Sequence, residues 1–410
     1  MRDLLEDSDI RVVRPGVWIF GFLGLLVLLG VLFPTQTALL VAFVSLPVII
    51  FFHELAHFVT AKRAGMLVTE FFVGFGPRVW SFTRGETEYG LKAIPLGGYC
   101  RIIGMTNLEE VAPEDEPRAY RNKKFLPKVI VSGAGPAMHF LIAFVLATGL
   151  LWVHGDREGE TLTTLEEISA DSPAEAAGLQ AGDRIVAVDG VVIEEWNDLY
   201  ENIGARENGE VVVFTYERDG VVRDTNVTLE TMEDRGITRV RAGVAPAFNE
   251  WTVDYSLREA VVQAPQEVWR IGAASVGALT DMFSLSGIEN YFGILGGDED
   301  ADENKRFLSP VGFARTGGQA IAEGWAEAVM LLILVNVFIG LFNLFPLLPF
   351  DGGHIAIATY EKVASTIRRR PVRADAAKLL PLTGVVVAIM AFIFMSSLFL
   401  DIVNPVDNPF

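Results

Sequence analysis

The sequence predicts a polytopic α-helical membrane protein with a membrane-associated β-hairpin region and an external α+β domain. Three observations carry that reading. The 410-residue chain is 51% hydrophobic and only 21% charged. Its apolar residues gather in blocks of about 20, the length that crosses a bilayer as helix. Its acidity is concentrated elsewhere: between positions 155 and 323 stand 33 acidic and 13 basic residues, which accounts for the net charge of −19. A chain so acidic repels phosphates and is excluded as a nucleic-acid binder. The single cysteine, Cys100, excludes an internal disulfide and a Cys-rich zinc site.

Five blocks read as spans. The first covers 17–33 and ends at Pro34; it lacks a small-x-small cleavage site and reads as a retained span. The second runs from Thr37 to Thr60 and the third from 129 to 153. The fourth, 328–350, is interrupted by Pro346 and Pro349, and the fifth is 380–400. Short basic loops mark the cytoplasmic side. The 61–128 connection carries 11 basic residues and "EKVASTIRRRPVRADAAK" six more. Both are therefore expected in the cytoplasm with the amino terminus, and the acidic 155–323 region outside.

Between the second and third spans, alternating apolar residues, Gly-Pro turns and aromatics predict hairpins. Such non-helical backbone is tolerated at membrane depth where it lines a cavity. From 161 to 244 short strands, two short helices and a hairpin at Asp219-Gly220 follow one another. Residues 254–283 have helical spacing and read as a helix lying on the membrane surface or packed on the spans, rather than as a sixth crossing.

"FFHELAHF" carries the chemistry. His53 and His57, four apart on a helix, project from one face and suit joint ligation of zinc, with Glu54 placed beside a metal-bound water. Ionisable residues in a span are costly, so their presence argues for function. Catalytic zinc takes a third protein ligand and keeps one open position. Among acids in the other spans Asp351, in "NLFPLLPFDGGH", is the outstanding candidate, because two prolines break its helix and two glycines permit close backbone approach. A lipid-interface turn with an exposed aspartate is the plainer alternative for that residue taken alone.

"HELAH" with "NLFPLLPFDGG" resembles the site-2 protease family of intramembrane zinc metalloproteases. "FFVGFGP", "PLGGY", "SGAGPAMHF" and "LSPVGFA" are similar to family segments, and "SPAEAAGLQAGDRI" resembles a bacterial, circularly permuted PDZ domain. The resemblance covers about 37–360. It implies Zn2+ held by His53, His57 and Asp351, and Glu54 as general base. It also implies that Asn343 contacts substrate or polarises its carbonyl. The substrates it implies are single-span membrane proteins such as anti-sigma factors, cut within the bilayer. The expected domains are an extra N-terminal span (1–36), the first part of the catalytic core (37–153) and the PDZ-like domain (155–247). An amphipathic linker (248–323), the second part of the core (324–360) and a basic loop with the last span (361–410) follow.

His139 stands where the family usually has Asn, and reads as a packed substitute in preference to a polar contact near the metal. His354 reads either as orienting Asp351 by a hydrogen bond or as a plain polar residue at a helix start. The PDZ-like domain has two readings, capture of carboxyl termini by strand addition and a size filter. The rival function is a catalytically silent PDZ-bearing membrane scaffold, which needs no full set of Glu54, His53, His57 and Asp351. A metal transporter would want acids or histidines on several spans, and these are lacking.

Overall fold

The computed structural model describes residues 34–106, 108–234, 237–298, 301–303 and 305–405. The expected span at 17–33 lies outside them. The described chain divides into two compact units, Leu151–Ser256 and the rest.

In the larger unit, α1 (Pro34–Arg63) ends on Lys62 and Arg63, whose charges suit a helix C-terminus. Gly65, at φ +66°, closes it. Met66 N–H reaches Ala61 O and Gly65 N–H reaches Lys62 O, the paired bonds of a left-handed helix stop. The chain then enters β1 (Val68–Arg84) and β2 (Thr87–Ile102), which pair antiparallel. Residues 68–73 bond to both 98–102 and 88–91, while 78–84 bond to 87–92. Each long strand therefore bends, and the expected hairpin becomes a curled four-run sheet. Gly74 allows one bend: it sits at φ +90°, and a Cβ there would lie 2.8 Å from Ile94 O. The outer run leaves Val79 69% and Trp80 56% exposed, the apolar surface expected of a membrane-associated hairpin. Its tip is tied to the helix end, because Glu86 bonds Lys62 Nζ at 2.5 Å and Arg118 at 2.7 Å.

α2 (Phe125–His154) follows a polar loop. The smaller unit comprises β3 (Asp156–Ile168), α3 (Pro173–Ala176), β4 (Arg184–Val188), β5 (Val191–Val192), α4 (Trp196–Gly204), β6 (Val211–Arg218), β7 (Val221–Thr228), β8 (Glu230–Asp234), β9 (Ile237–Arg241) and β10 (Val244–Val253). Its main sheet runs β10-β3-β4-β6-β7, with β5 on β4 and a separate β8-β9 ribbon. Alternating positions of the strands bury Ile185, Val188, Val212, Phe214 and Val227 against Leu199 and Ile203 of α4. Asp183, 1% exposed, accepts from Arg218 Nε and Nη2 at 2.6 Å and from Gln180 N–H at 2.8 Å.

Back in the larger unit, α5 (Leu257–Met282) packs on a later helix, and α6 (Leu285–Gly296) bends away from it by 71°. The expected helix at 254–283 is thus present, and only the bent pair together is long and apolar enough to cross a membrane. α7 (Pro310–Glu323) begins on the Ser309 cap and packs on α1. α8 (Trp325–Asn343) ends before Pro346, residues 344–350 form an irregular segment, and α9 (Asp351–Arg368) restarts the helix. The sequence placed this span at 328–350; the prolines stop it sooner. α10 (Ala376–Val403) closes the described chain. Among the described residues four helices are individually long and apolar enough to span: Val44–Arg63, Phe125–His154, Trp325–Asn343 and Ala377–Val403. They match the second to fifth apolar blocks.

Two outcomes test these ties. Asp183→Ala removes the acceptor of Arg218 and of the Gln180 N–H and should lower the midpoint of the smaller unit in chemical denaturation of the intact protein; an unchanged midpoint would contradict it. Arg118, then Lys62, hold the Glu86 carboxyl down to about 2 from its ordinary 4.5. A depressed carboxyl stabilises above its unfolded value and loses that contribution as pH falls. Amide exchange around Gly85 should therefore rise between pH 4.5 and pH 2, modestly because the groups are exposed. Exchange that follows only the intrinsic pH rate would count against the tie.

Candidate metal centre

Three elements meet at one point. α1 supplies His53 and His57, one turn apart and both buried. The irregular segment after α8 delivers Asp351 as the first residue of α9. That placement depends on Gly352 and Gly353. A Cβ on Gly352 would stand 2.2 Å from Leu344 O, and one on Gly353 2.5 Å from the Leu347 carbonyl carbon. The 344–350 segment therefore folds back onto the start of α9, and only glycine leaves room for it.

His53 Nε2 and His57 Nε2 are 3.1 Å apart, and Asp351 Oδ2 is 3.3 Å and 3.2 Å from them. Ligands about 2.0–2.1 Å from a tetrahedral zinc stand about 3.3–3.4 Å from one another. The spacing is thus close to what one ion requires. His57 Nδ1 donates to Val131 O of α2 at 2.7 Å, which fixes the tautomer that leaves Nε2 free for metal. His53 Nδ1 is buried without a hydrogen-bond partner among the described residues. Gly135 of α2 completes the cradle: a Cβ there would come within 2.3 Å of His57 Nε2 and 2.4 Å of His53 Cε1. The donor set and the space kept by Gly135 fit a zinc ion.

Glu54 lies beside this trio, only partly buried and not one of the converging donors. Gly98 of β2 would set a Cβ 3.3 Å from Glu54 Cγ. The curled sheet therefore brings bare backbone against the carboxylate. Cys100 itself is a partly buried free thiol in this strand.

The remaining sequence candidates separate. Asn343 ends α8, and its side chain has no hydrogen-bond partner among the described residues. His354 does not hydrogen-bond Asp351; it turns edge-on to the Tyr120 ring, centroids 6.2 Å apart. One turn beyond Asp351 on α9, it packs toward the loop that precedes α2, and the orienting role read for it has no support. His139, read in preference as a packed substitute, is both packed and close to the metal ligands. It is 1% exposed, its ring centroid lies 4.9 Å from that of His53, and Nδ1 is 3.1 Å from Asn336 Oδ1. Asn336 donates its own amide to Leu332 O at 2.8 Å, so Oδ1 is turned to accept from His139. Asn336, fully buried in α8, went unnoticed in the sequence. An amide inside "LLILVNVF" was the available signal.

Comparison with known proteins supplies the family. The model of peptidase family M50 matches residues 41–392. The chain belongs to peptidase family M50. The zinc metalloprotease Rip1 of Mycolicibacterium smegmatis is 38% identical over 395 residues, covering 87% of this chain and 94% of the relative. Rip1 of Mycobacterium tuberculosis strain H37Rv is 33% identical over 402 residues, covering 86% and 94%. The PDZ domain of the SdrC-like protein of Listeria monocytogenes aligns with 20% of this chain and 85% of its own, at 20% identity and a TM-score of 0.19. The M50 family is that of the site-2 proteases. This chain is accordingly a zinc metalloprotease with helices able to lie in a membrane.

Gly135→Ala should cost the protein its zinc without unfolding it, because the new methyl occupies the ligand cradle. Metal analysis of the purified variant checks this, and full zinc occupancy would contradict it.

Proposed function

We propose that the protein is an intramembrane endopeptidase that cuts transmembrane segments of single-span membrane proteins. On this reading His53, His57 and Asp351 are the zinc ligands and Glu54 is the general base. The observation that carries it is the convergence of two buried imidazole nitrogens of α1 and a partly buried carboxylate oxygen at the start of α9, far apart in sequence, beside a carboxylate that is not one of the three.

Zinc, when bound, polarises the scissile carbonyl and acidifies the attacking water. Glu54 accepts the proton of that water and returns it to the leaving amine nitrogen. The close backbone of β2 at Gly98 limits where the carboxylate can swing while it does so. Asn343, carried by the segment that also delivers Asp351, donates from its amide to the developing oxyanion; loss of one such donor costs about 3 kcal/mol of the barrier. His139, held by Asn336, packs the ring of His53 in place. An intact helix hides its peptide bonds, so substrates are spans that unwind locally.

By the positive-inside rule the amino terminus and the basic 361–378 stretch lie in the cytoplasm, with the acidic PDZ-like domain outside. Anti-sigma factors are the substrate class in view. The PDZ-like domain serves either to hold trimmed substrate ends or to exclude bulky ones.

Glu54→Gln should retain zinc yet lose about 10²–10⁴-fold in cleavage of a reporter span, whereas Asp351→Ala should lose the metal as well. Unchanged cleavage in Glu54→Gln would sink the assignment of this site, and no cleavage by the wild type would favour the silent scaffold. Replacing a Gly-containing stretch of the reporter span by poly-Leu should slow cleavage. Equal rates would refute the need for unwinding.

A further inference from the structure

A second feature of the larger unit stands apart from the metal centre. α9 ends with Arg369 in a left-handed conformation at φ 51°, and the chain doubles back toward α10. That turn is tied down: Val372 N–H donates to Ser365 Oγ at 2.8 Å and Ala374 N–H to Glu361 Oε1 at 3.0 Å. Between α9, the start of α10 and the segment after α8 lies a cleft of about 630 Å³. Its chemistry is divided. Arg368, Arg373 and Lys378 stand along it, and Leu347, Leu382 and Ile357 are among the apolar residues that wall it.

The charge balance of the cleft is positive. Asp375 is its one acid, and that carboxylate is engaged in capping α10, accepting from Ala377 N–H at 3.1 Å. Glu361, behind the turn, is committed to Lys128 at 2.8 Å and to Ala374. Arg373 spends part of its guanidinium on Asn122 Oδ1, at 2.5 Å. The side chains of Arg368 and Lys378 make no hydrogen bond or ion pair among the described residues. Unpaired cations beside an apolar wall, between helices at the basic end of a span, suit an anionic headgroup with its acyl chain attached. A zwitterionic lipid offers the same chain without the net charge. A free phosphate would satisfy the cations and leave the apolar wall bare.

We propose that this cleft holds an anionic phospholipid, its phosphate on Arg368, Arg373 and Lys378 and an acyl chain along Leu347, Ile357 and Leu382. The cleft also touches Pro346, Leu348 and Gly353. Pro346 and Leu348 belong to the segment that folds back to set Asp351, and Gly353 to the start of α9 on which it folds, so a seated lipid buttresses that fold-back.

The test uses full-length protein, purified in detergent and examined by native mass spectrometry with added phosphatidylglycerol or phosphatidylcholine. The wild type should retain phosphatidylglycerol roughly tenfold better, and Arg368→Gln/Lys378→Gln should lose that preference. Arg369→Gln/Arg370→Gln, which removes equal charge from outside the cleft, should keep it. Equal retention of the two lipids by the wild type would overturn the proposal. So would an undiminished preference in the cleft variant, or equal losses in both variants. Displacement of the lipid by millimolar inorganic phosphate alone would assign the cations to free phosphate instead. Because the cleft variant risks misfolding, a photoreactive phosphatidylglycerol is also applied to the wild type. Labelling of 346–383 supports the site, and labelling confined to other helices refutes it.

Discussion

Everything in the larger unit depends on holding one carboxylate oxygen against two imidazoles inside an apolar environment. A buried charge there is tolerable only where it is paired or coordinated. That demand explains why α8 stops short, why two glycines follow Asp351, and why Gly135 occurs where α2 crosses α1. Backbone approaches too close for any side chain secure the geometry. The site is thus built more by what is absent at Gly135, Gly352 and Gly353 than by added contacts.

The surroundings follow from the same requirement. α2 supplies Val131 O to set the tautomer of His57, and it supplies His139 to pack His53. The curled sheet supplies backbone to Glu54 and is anchored through Glu86 to the end of the helix that carries both histidines. Each wall of the pocket therefore orients a different member of the set. Catalytic zinc chemistry relies on that division, since outer contacts decide the direction and basicity of the ligands.

Much of this was legible in the sequence because its signals are periodic or chemically conspicuous. His53, Glu54 and His57 share a helix face, Asp351 follows a broken apolar run, and the span blocks are plain in composition. The bending of β1 and β2 into four runs was not legible, because Gly74 signals a turn without naming which run pairs with which. The two readings of His354 could not be separated for a related reason: closeness in sequence to Asp351 says nothing of side-chain direction one helical turn on. The His139–Asn336 pair joins residues of two different helices, and a single sequence gives no measure of such a distance. Asn336 alone, isolated in an apolar run, carried a usable hint.

The central claim is that two imidazoles and one carboxylate hold the zinc. Zinc-edge X-ray absorption on the purified, active protein tests it most directly, because it counts imidazole and sulfur neighbours without mutation. Two imidazole ligands and oxygen at about 2.0–2.2 Å, with no sulfur, is the expected result. Three imidazoles would bring His139 in place of Asp351, and a sulfur at about 2.3 Å would bring in Cys100. Either result would contradict the site as described.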